Sequence, residues 1–343
     1  MIVGACRLQS EPRRALRALL GSAFAIASIL SPTGAPAAEL AQVQAYPSRP
    51  IRIIVGQQPG VPSDILARLV AERLADLSKQ PVVVENQPGA SGMIGAELVA
   101  KAPADGYTLL MASHSNLVLA KAIGANLRYD PLSDFAPIGR IAYVPFVLAA
   151  YQGVPARTVP ELVALARSHP GQLTYATAGS GTMSQLGIEL LKAATGIDLL
   201  AVHYKGAGSA LHDVIAGRVD MILADHAVVA PHVTSGALRV LGASGARRAA
   251  AAPDVPTFAE QGIDGYAVST WYGIVAPAKT PADILARLAS ALNEIRNSPE
   301  VRERLRQLGY DPIDDSPAQF RLVIDSEIEK YSALVRRAGL KAD

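Results

Sequence analysis

The run from Ile51 to Leu77 restricts the fold more than any other part of the chain. Ile51-Arg52-Ile53-Ile54-Val55 is apolar and β-branched over the length of a buried strand. A loop follows, Gly56-Gln57-Gln58-Pro59-Gly60-Val61-Pro62-Ser63. Leu66, Leu69, Val70, Leu74 and Leu77 then recur at helical spacing, with Arg68, Glu72 and Asp76 off the stripe. Ser63 is the expected N-cap and Asp64 a first-turn acid suited to the positive end of the helix dipole. Strand, Gly/Pro loop and helix in this order aim free backbone N–H groups at one spot, which can hold an anion without a charged side chain.

The same order recurs from Leu173 to Ala194. Leu173-Thr174-Tyr175-Ala176 reads as a strand, Thr177-Ala178-Gly179-Ser180-Gly181-Thr182 as a donor-rich loop, and Met183, Leu186, Gly187, Leu190, Leu191 and Ala194 as one face of a helix. Two such loops suit two facing lobes gripping one acidic ligand. The same composition also suits ordinary strand-to-helix turns, and a Gly-rich turn alone does not separate the two.

Between and beyond these units, strands and helices alternate at βαβ spacing, which predicts an α/β protein with largely parallel sheets. In such sheets ligands sit beyond the carboxyl ends of the strands, so the loops after Val55, Ala112 and Ala176 are the places to look. A β region over Ala136–Ala150 is interrupted by Pro145, as at an edge or a crossover between lobes. Val268 to Val275 is strand-like and suits the return to the first lobe. The tail reads as helical, with Pro281 and Pro299 each at a first helical position. Its last helix, from Ser316-Pro317, puts Phe320, Ile324, Ile328, Tyr331 and Val335 on one face.

Residues 1–37 read as an export signal. Arg7, Arg13, Arg14 and Arg17 form a basic segment, Ala18 to Leu30 an apolar stretch too short to span a bilayer, and Ala35-Pro36-Ala37 a cleavage site. Arg13-Arg14 hints at twin-arginine export, but its surroundings favour the general route. The whole chain has 32 Lys+Arg against 30 Asp+Glu. The signal holds four arginines and one acid, Glu11, so the remainder carries 28 basic and 29 acidic residues. No nucleic-acid footprint is left. The one cysteine, Cys6, lies in the signal, so the mature chain has neither disulfide nor thiolate nucleophile. The mature protein is expected to be soluble, periplasmic and monomeric.

Little of the sequence supports catalysis. Gly242-Ala243-Ser244-Gly245-Ala246 lacks the final Gly of a nucleophile elbow. Gly206-Ala207-Gly208 lacks the third Gly of a dinucleotide fingerprint. The six histidines, 114, 169, 203, 212, 226 and 232, form no metal pair, so neither metal nor cofactor is expected. Ser113 and His114 end a strand on the expected ligand side. Asp225 ends another, and reads equally as an N-cap or as a contact to a donor group on the ligand or to the loop that holds it. Trp271 reads as core.

Taken together, several stretches carry a family resemblance: Tyr46-Pro47-Ser48-Arg49-Pro50-Ile51, Pro59-Gly60 with Asp64, Val82-Val83-Val84-Glu85-Asn86, Asp105-Gly106-Tyr107-Thr108-Leu109-Leu110, Tyr129-Asp130-Pro131, Tyr204-Lys205-Gly206, Pro231-His232-Val233, Pro253-Asp254-Val255-Pro256-Thr257 and Pro299-Glu300-Val301-Arg302. From about Tyr46 to Gly339 the chain resembles the Bug-type, TctC-like extracytoplasmic solute receptors of tripartite tricarboxylate transporters. The resemblance implies a two-lobed type II periplasmic-binding-protein fold, each lobe a mostly parallel sheet flanked by helices. Residues 46–145 and 271–343 would form one lobe and 146–270 the other. It implies a receptor rather than an enzyme, a small carboxylate as ligand, and membrane permease subunits as partners. A secreted enzyme or a sensory module on the same scaffold is the alternative.

In that family two loops close on a ligand carboxylate. They map here onto Gly60, Val61, Ser63 and Asp64 and onto Gly179, Ser180, Gly181 and Thr182. Gln185, Ser113, His114, Tyr204 and Asp225 complete the expected site. Three features depart from the family pattern: Val61-Pro62 in the first loop, Gln57-Gln58 before it, and Gln185 where a His is common. Pro62 also removes one N–H donor.

Overall fold

The computed structural model describes residues 46–179, 182–204 and 206–337. The expected signal, residues 1–37, lies outside them, as do Ser180, Gly181 and Lys205. In chain order the elements are β1 (Ile51–Val55), α1 (Pro62–Ser78), β2 (Val82–Asn86), α2 (Met93–Ala100) and β3 (Thr108–Ser113). A π-helical turn (Ser115–Leu119) runs into α3 (Ala120–Ala122), and β4 (Phe135–Val144) and β5 (Phe146–Tyr151) follow. Then come α4 (Val159–Ser168), β6 (Thr174–Thr177), α5 (Met183–Thr195), β7 (Leu200–His203), α6 (Ala207–Ile215), β8 (Met221–Asp225), α7 (His226–Thr234) and β9 (Leu238–Ala243). The chain ends in β10 (Thr270–Pro277), α8 (Ala282–Asn297), α9 (Pro299–Gln307), β11 (Asp311–Pro312) and α10 (Pro317–Arg337).

The strands form two sheets, ordered β11-β4-β10-β3-β1-β2 and β7-β6-β8-β5-β9. The chain crosses from the first to the second at Pro145, between β4 and β5, and β10 carries it back. Both sheets are mixed: β1, β2, β3 and β4 share one direction in the first and β6, β7, β8 and β9 in the second, as the spacing predicts, while β10, β11 and β5 oppose them. β1 pairs in parallel with β2 and β3, and β6 with β7 and β8, whereas β10 runs antiparallel to β3 and β4, β11 to β4, and β5 to β8 and β9. The strands next to the two crossings run against their neighbours. Periodicity reports which face a residue occupies and says nothing of strand direction.

β1 is buried at Ile51, Ile53, Ile54 and Val55 between helices on both faces of its sheet. α1 covers it with Leu66, Val70 and Leu74, while Leu77 stays 41% exposed at the C-terminal end of the expected stripe. α10 buries Phe320, Ile324, Ile328, Tyr331 and Val335, the face expected from its spacing. The two helix starts differ from expectation. α1 begins at Pro62 with Val61 as N-cap, so Ser63 lies inside the first turn; proline tolerates the first position because its missing N–H would be unpaired there. Pro281 is itself the N-cap of α8, because Thr280 donates its hydroxyl back to Pro277 O at 2.8 Å.

Candidate functional site

A cleft of about 350 Å³ opens between the two sheets. Its walls come from the carboxyl ends of strands and the first turns of the helices that follow. The β1–α1 loop gives Gly56, Gln57, Gln58, Val61 and Pro62, and the β2–α2 loop gives Pro88, Gly89, Ser91 and Gly92. From the other sheet come Ala178, Thr182, Met183 and Ser184, then Gly206, Ala207 and Leu211, then Ile222 to Asp225 with Val228. Phe146, Thr270 and Tyr272, beside the two crossings, close the rear.

Glycine packing brings the two loops of the first sheet together. A Cβ on Gly56 would lie 2.6 Å from Gly92 Cα, and one on Gly95 would lie 2.9 Å from Gly56 Cα. The backbone from Gly89 to Gly92 holds positive φ throughout, at 143°, 47°, 54° and 93°, although Ala90 and Ser91 carry side chains. Left-handed non-glycine residues are strained and gather at functional sites.

Of the helices that meet the cleft, α7 is capped by Asp225, whereas α1, α2, α5 and α6 start without a side-chain cap bond, at Val61, Gly92, Thr182 and Gly206. Away from the cleft, Thr158 caps α4 by accepting from Glu161 N and Ser298 caps α9 by accepting from Val301 N, while α8 starts after Pro281 without a side-chain cap. First-turn N–H groups without caps are anion ligands in waiting. Each such end favours a negative charge by about 0.3–1 kcal/mol when exposed and up to about 2 kcal/mol when partly buried.

Three expected site residues line the cleft: Val61, Thr182 and Asp225. Others support it from behind. Asp64 is buried and accepts from Gly60 N at 2.9 Å, from Arg68 through both Nε and Nη2, and from Asn86 Nδ2 at 3.0 Å. Burial pushes its carboxyl up, but these bonds outweigh burial and hold it below the usual range. The N–H of Gly60 is therefore spent on Asp64, and neither residue is among those lining the cleft. Ser63 donates its hydroxyl to Gln57 Oε1. In the second loop Thr182 Oγ1 donates to Gly179 O at 2.7 Å, and Ala178 N donates to Ser184 Oγ at 3.2 Å, so its hydroxyls knit the turn. Gly179 stands at φ 135°.

Four expectations meet a different placement. Ser113 N donates to Asn116 Oδ1 at 2.8 Å and closes a turn, while Ser115 faces the cleft instead. His114 is fully buried against Trp271 and Tyr331, with ring centroids 6.0 and 4.6 Å away. It points into the core because His114 and Ser115 are adjacent on the helical turn packed against α10 and face different ways. Tyr204 donates to Asp213 Oδ2 at 2.6 Å, and half-buried Gln185 lies on α5, neither among the residues lining the cleft.

Asp225 does both things that its sequence position allowed. Its Oδ1 accepts Ala227 N at 2.9 Å and so caps α7, and the residue also lines the cleft while only 7% exposed. Burial pushes its carboxyl up to about 7, against the bonds from Ala227 N–H and Tyr310 Oη. No other lining residue among those described is charged, and no His/Cys/Asp/Glu cluster among the described residues could hold a metal.

Residues 66–340 match the model of the tripartite tricarboxylate transporter family receptor, TctC. The protein BugT of Bordetella pertussis is 34% identical over 327 residues, covering 95% of this chain and 98% of BugT. Among solved structures, R. palustris Rpa4515 with adipate superposes with a TM-score of 0.81 at 32% identity, covering 86% of this chain and 99% of that one. MatC from Rhodopseudomonas palustris with bound malate gives 0.77 at 30% identity, covering 84% and 100%.

Proposed function

The chain belongs to the tripartite tricarboxylate transporter receptor family, and from that premise we propose that it captures a small organic acid in the cleft and presents it to the permease subunits of such a transporter. The family is one of solute receptors, and the chain is a receptor, not an enzyme. Among the described residues no helix is long and apolar enough to cross a membrane, which agrees with a periplasmic receptor exported by residues 1–37. Protein recovered from the periplasm should begin just after Ala37 on N-terminal sequencing.

The observation that carries this reading is the convergence of four helix N-termini without side-chain caps, those of α1, α2, α5 and α6, on one cleft that has no basic side chain among its described residues. Such a cleft can balance an anion only with backbone N–H groups and helix dipoles. The related chains holding adipate and malate support a carboxylate as that anion. Residues 46–145 and 271–343 act as one lobe and 146–270 as the other. Closure about Pro145 and the strand at Trp271 buries the ligand, and the closed form is what the permease recognises.

Thermal shift of the mature protein against a panel of mono-, di- and tricarboxylates tests the ligand class. A true ligand at one hundred times its Kd stabilises by about 2.7 kcal/mol. Melting curves that respond only to uncharged or cationic compounds would sink the reading, and chemical conversion of a bound acid would replace it with an enzyme.

A further inference from the structure

We propose that Asp225 sets the specificity of the cleft: the preferred ligand carries one carboxylate, an apolar body and, at its other end, a hydrogen-bond donor such as a hydroxyl, amide or ammonium group, rather than a second carboxylate. This rests on the cleft being the carboxylate site.

Three features of the geometry carry it. First, Asp225 is a fixed acceptor. An ionised carboxylate offers about four lone-pair sites, and Ala227 N at 2.9 Å and Tyr310 Oη at 3.0 Å take two of them from opposite oxygens. The side chain is thereby held in place with acceptor capacity left over at the cleft wall. Second, the helix that starts at Asp225 already has its anion. α1, α2, α5 and α6 come to the cleft uncapped, whereas the N-terminus of α7 is neutralised by Asp225 itself. That end of the cleft has no positive dipole to spare for a ligand oxyanion. Third, the surrounding wall is apolar. Phe146 sits opposite Asp225 in the sheet register, and Ala224, Val228 and Tyr272 complete the surface. A second carboxylate placed there would face a like charge across a desolvated wall, without a cation among the described lining residues to offset it. A donor placed there completes a hydrogen bond to a charged acceptor, and a hydrocarbon body fills the wall beside it.

The test is calorimetric titration of the mature protein at pH about 8 with two matched series that differ only at the far end. One is hexanoate, ω-hydroxyhexanoate, ω-aminohexanoate and adipate. The other is benzoate, para-hydroxybenzoate, para-aminobenzoate and terephthalate. In whichever series fits, the hydroxy or amino acid should bind at least about tenfold more tightly than the dicarboxylate. Asp225→Asn keeps the shape and an acceptor for Ala227 N while removing the charge, and should shift that ratio toward the dicarboxylate by about tenfold or more. A dicarboxylate that binds the unmodified protein as well as its hydroxy or amino counterpart overturns the proposal, and this arm needs no variant to fold. An unchanged ratio in Asp225→Asn overturns it as well, as does the absence of binding by every monocarboxylate of both series. Failure of the underlying carboxylate reading looks different: hexanol and phenol would then bind as well as hexanoate and benzoate.

Discussion

The hydroxyl of Tyr310 donates to Asp225 Oδ2 at 3.0 Å, tying a strand end of one sheet to the residue that precedes the outermost strand of the other. Both groups are buried, so the bond joins the two halves of the molecule behind the cleft and positions the one charged side chain known to line it.

That bond should make stability depend on pH. Burial lifts the Asp225 carboxyl to about 7, far above its unfolded value. Tyr310 and Tyr272 beside it stay protonated because burial raises both, and burial lowers neighbouring His226. A carboxyl raised in this way favours the folded state most below pH about 4, and the advantage is lost as pH rises through about 7. Tyr310→Phe removes a bond worth more to the ionised form than to the neutral one. The expected cost is about 2 kcal/mol at pH 8 and about 1 kcal/mol at pH 5. Urea denaturation at the two pH values measures it, and an equal cost at both would show that Asp225 is not the titrating partner.

His114 should be replaceable at no cost. Among the described residues neither ring nitrogen has a hydrogen-bond partner, although Glu327 Oε2 lies 3.4 Å from Nε2, and Trp271 Nε1 donates to that same oxygen at 2.7 Å. Burial, with the charge of Lys330, pushes the imidazole down to about 3. A histidine depressed in the fold contributes stability above its unfolded pKa of about 6.5 and loses it as pH falls toward the folded value. His114→Phe keeps the ring packing, removes two unsatisfied polar atoms and deletes that acid sensitivity. It should melt at or above the parent temperature at pH 7 and lose less stability than the parent between pH about 6.5 and 4. A variant that melts well below the parent at pH 7 would mean the ring nitrogens do have partners in solution.

Sequence legibility followed range. The β1–loop–α1 and β6–loop–α5 units and the α10 stripe were readable because each depends on spacing within about 20 residues. The wall made by Phe146, Thr270 and Tyr272 was not readable, since those residues look like ordinary strand positions until β5 and β10 meet at the crossings. Gly56 and Gly92 each look like a turn glycine, and only the approach of two loops shows that they share one contact. His114 was misplaced because adjacent residues on a helical turn face different ways, so Ser115 took the cleft and His114 the core. Of the site residues read from sequence that line the cleft, Val61 and Thr182 belong to the two loops chosen for their backbone geometry, and Asp225 was legible as the last residue of its strand.

Asp64 is expected to act on the loop and not on the ligand directly. Its carboxylate gathers Gly60 N–H, Arg68 and Asn86. Arg68 is exposed enough for solvent to weaken its share, so the backbone and amide bonds matter most. Asp64→Asn should cost about 1–2 kcal/mol at pH 7. Because the folded carboxyl is held low, that stability is present above pH about 4 and lost as pH falls through the folded value. Parent and variant should therefore converge in acid. Ligand affinity at pH 7 should fall as well, through a loosened Gly60 turn, and unchanged affinity would show that the turn keeps its shape without the carboxylate.

Gly56→Ala offers the sharpest separation of site from fold. The new methyl would sit 2.6 Å from Gly92 Cα and 2.7 Å from Gly92 O, both backbone atoms, so no side-chain rotation relieves it. The β1–α1 and β2–α2 loops must move apart, while the strand pairing of Val55 with Asn86 and Met111 lies just before the substitution and can persist. Overpacking of this kind costs about 1–3 kcal/mol of stability. An anion site built from backbone N–H groups depends on loop positions held to a fraction of an ångström, so the loss in binding should be larger, about a hundredfold. Circular dichroism melting beside calorimetric titration reads both quantities on one sample. A variant that keeps full affinity would show that the Gly56–Gly92 approach is packing alone and that the amide protons holding the ligand lie elsewhere in the cleft.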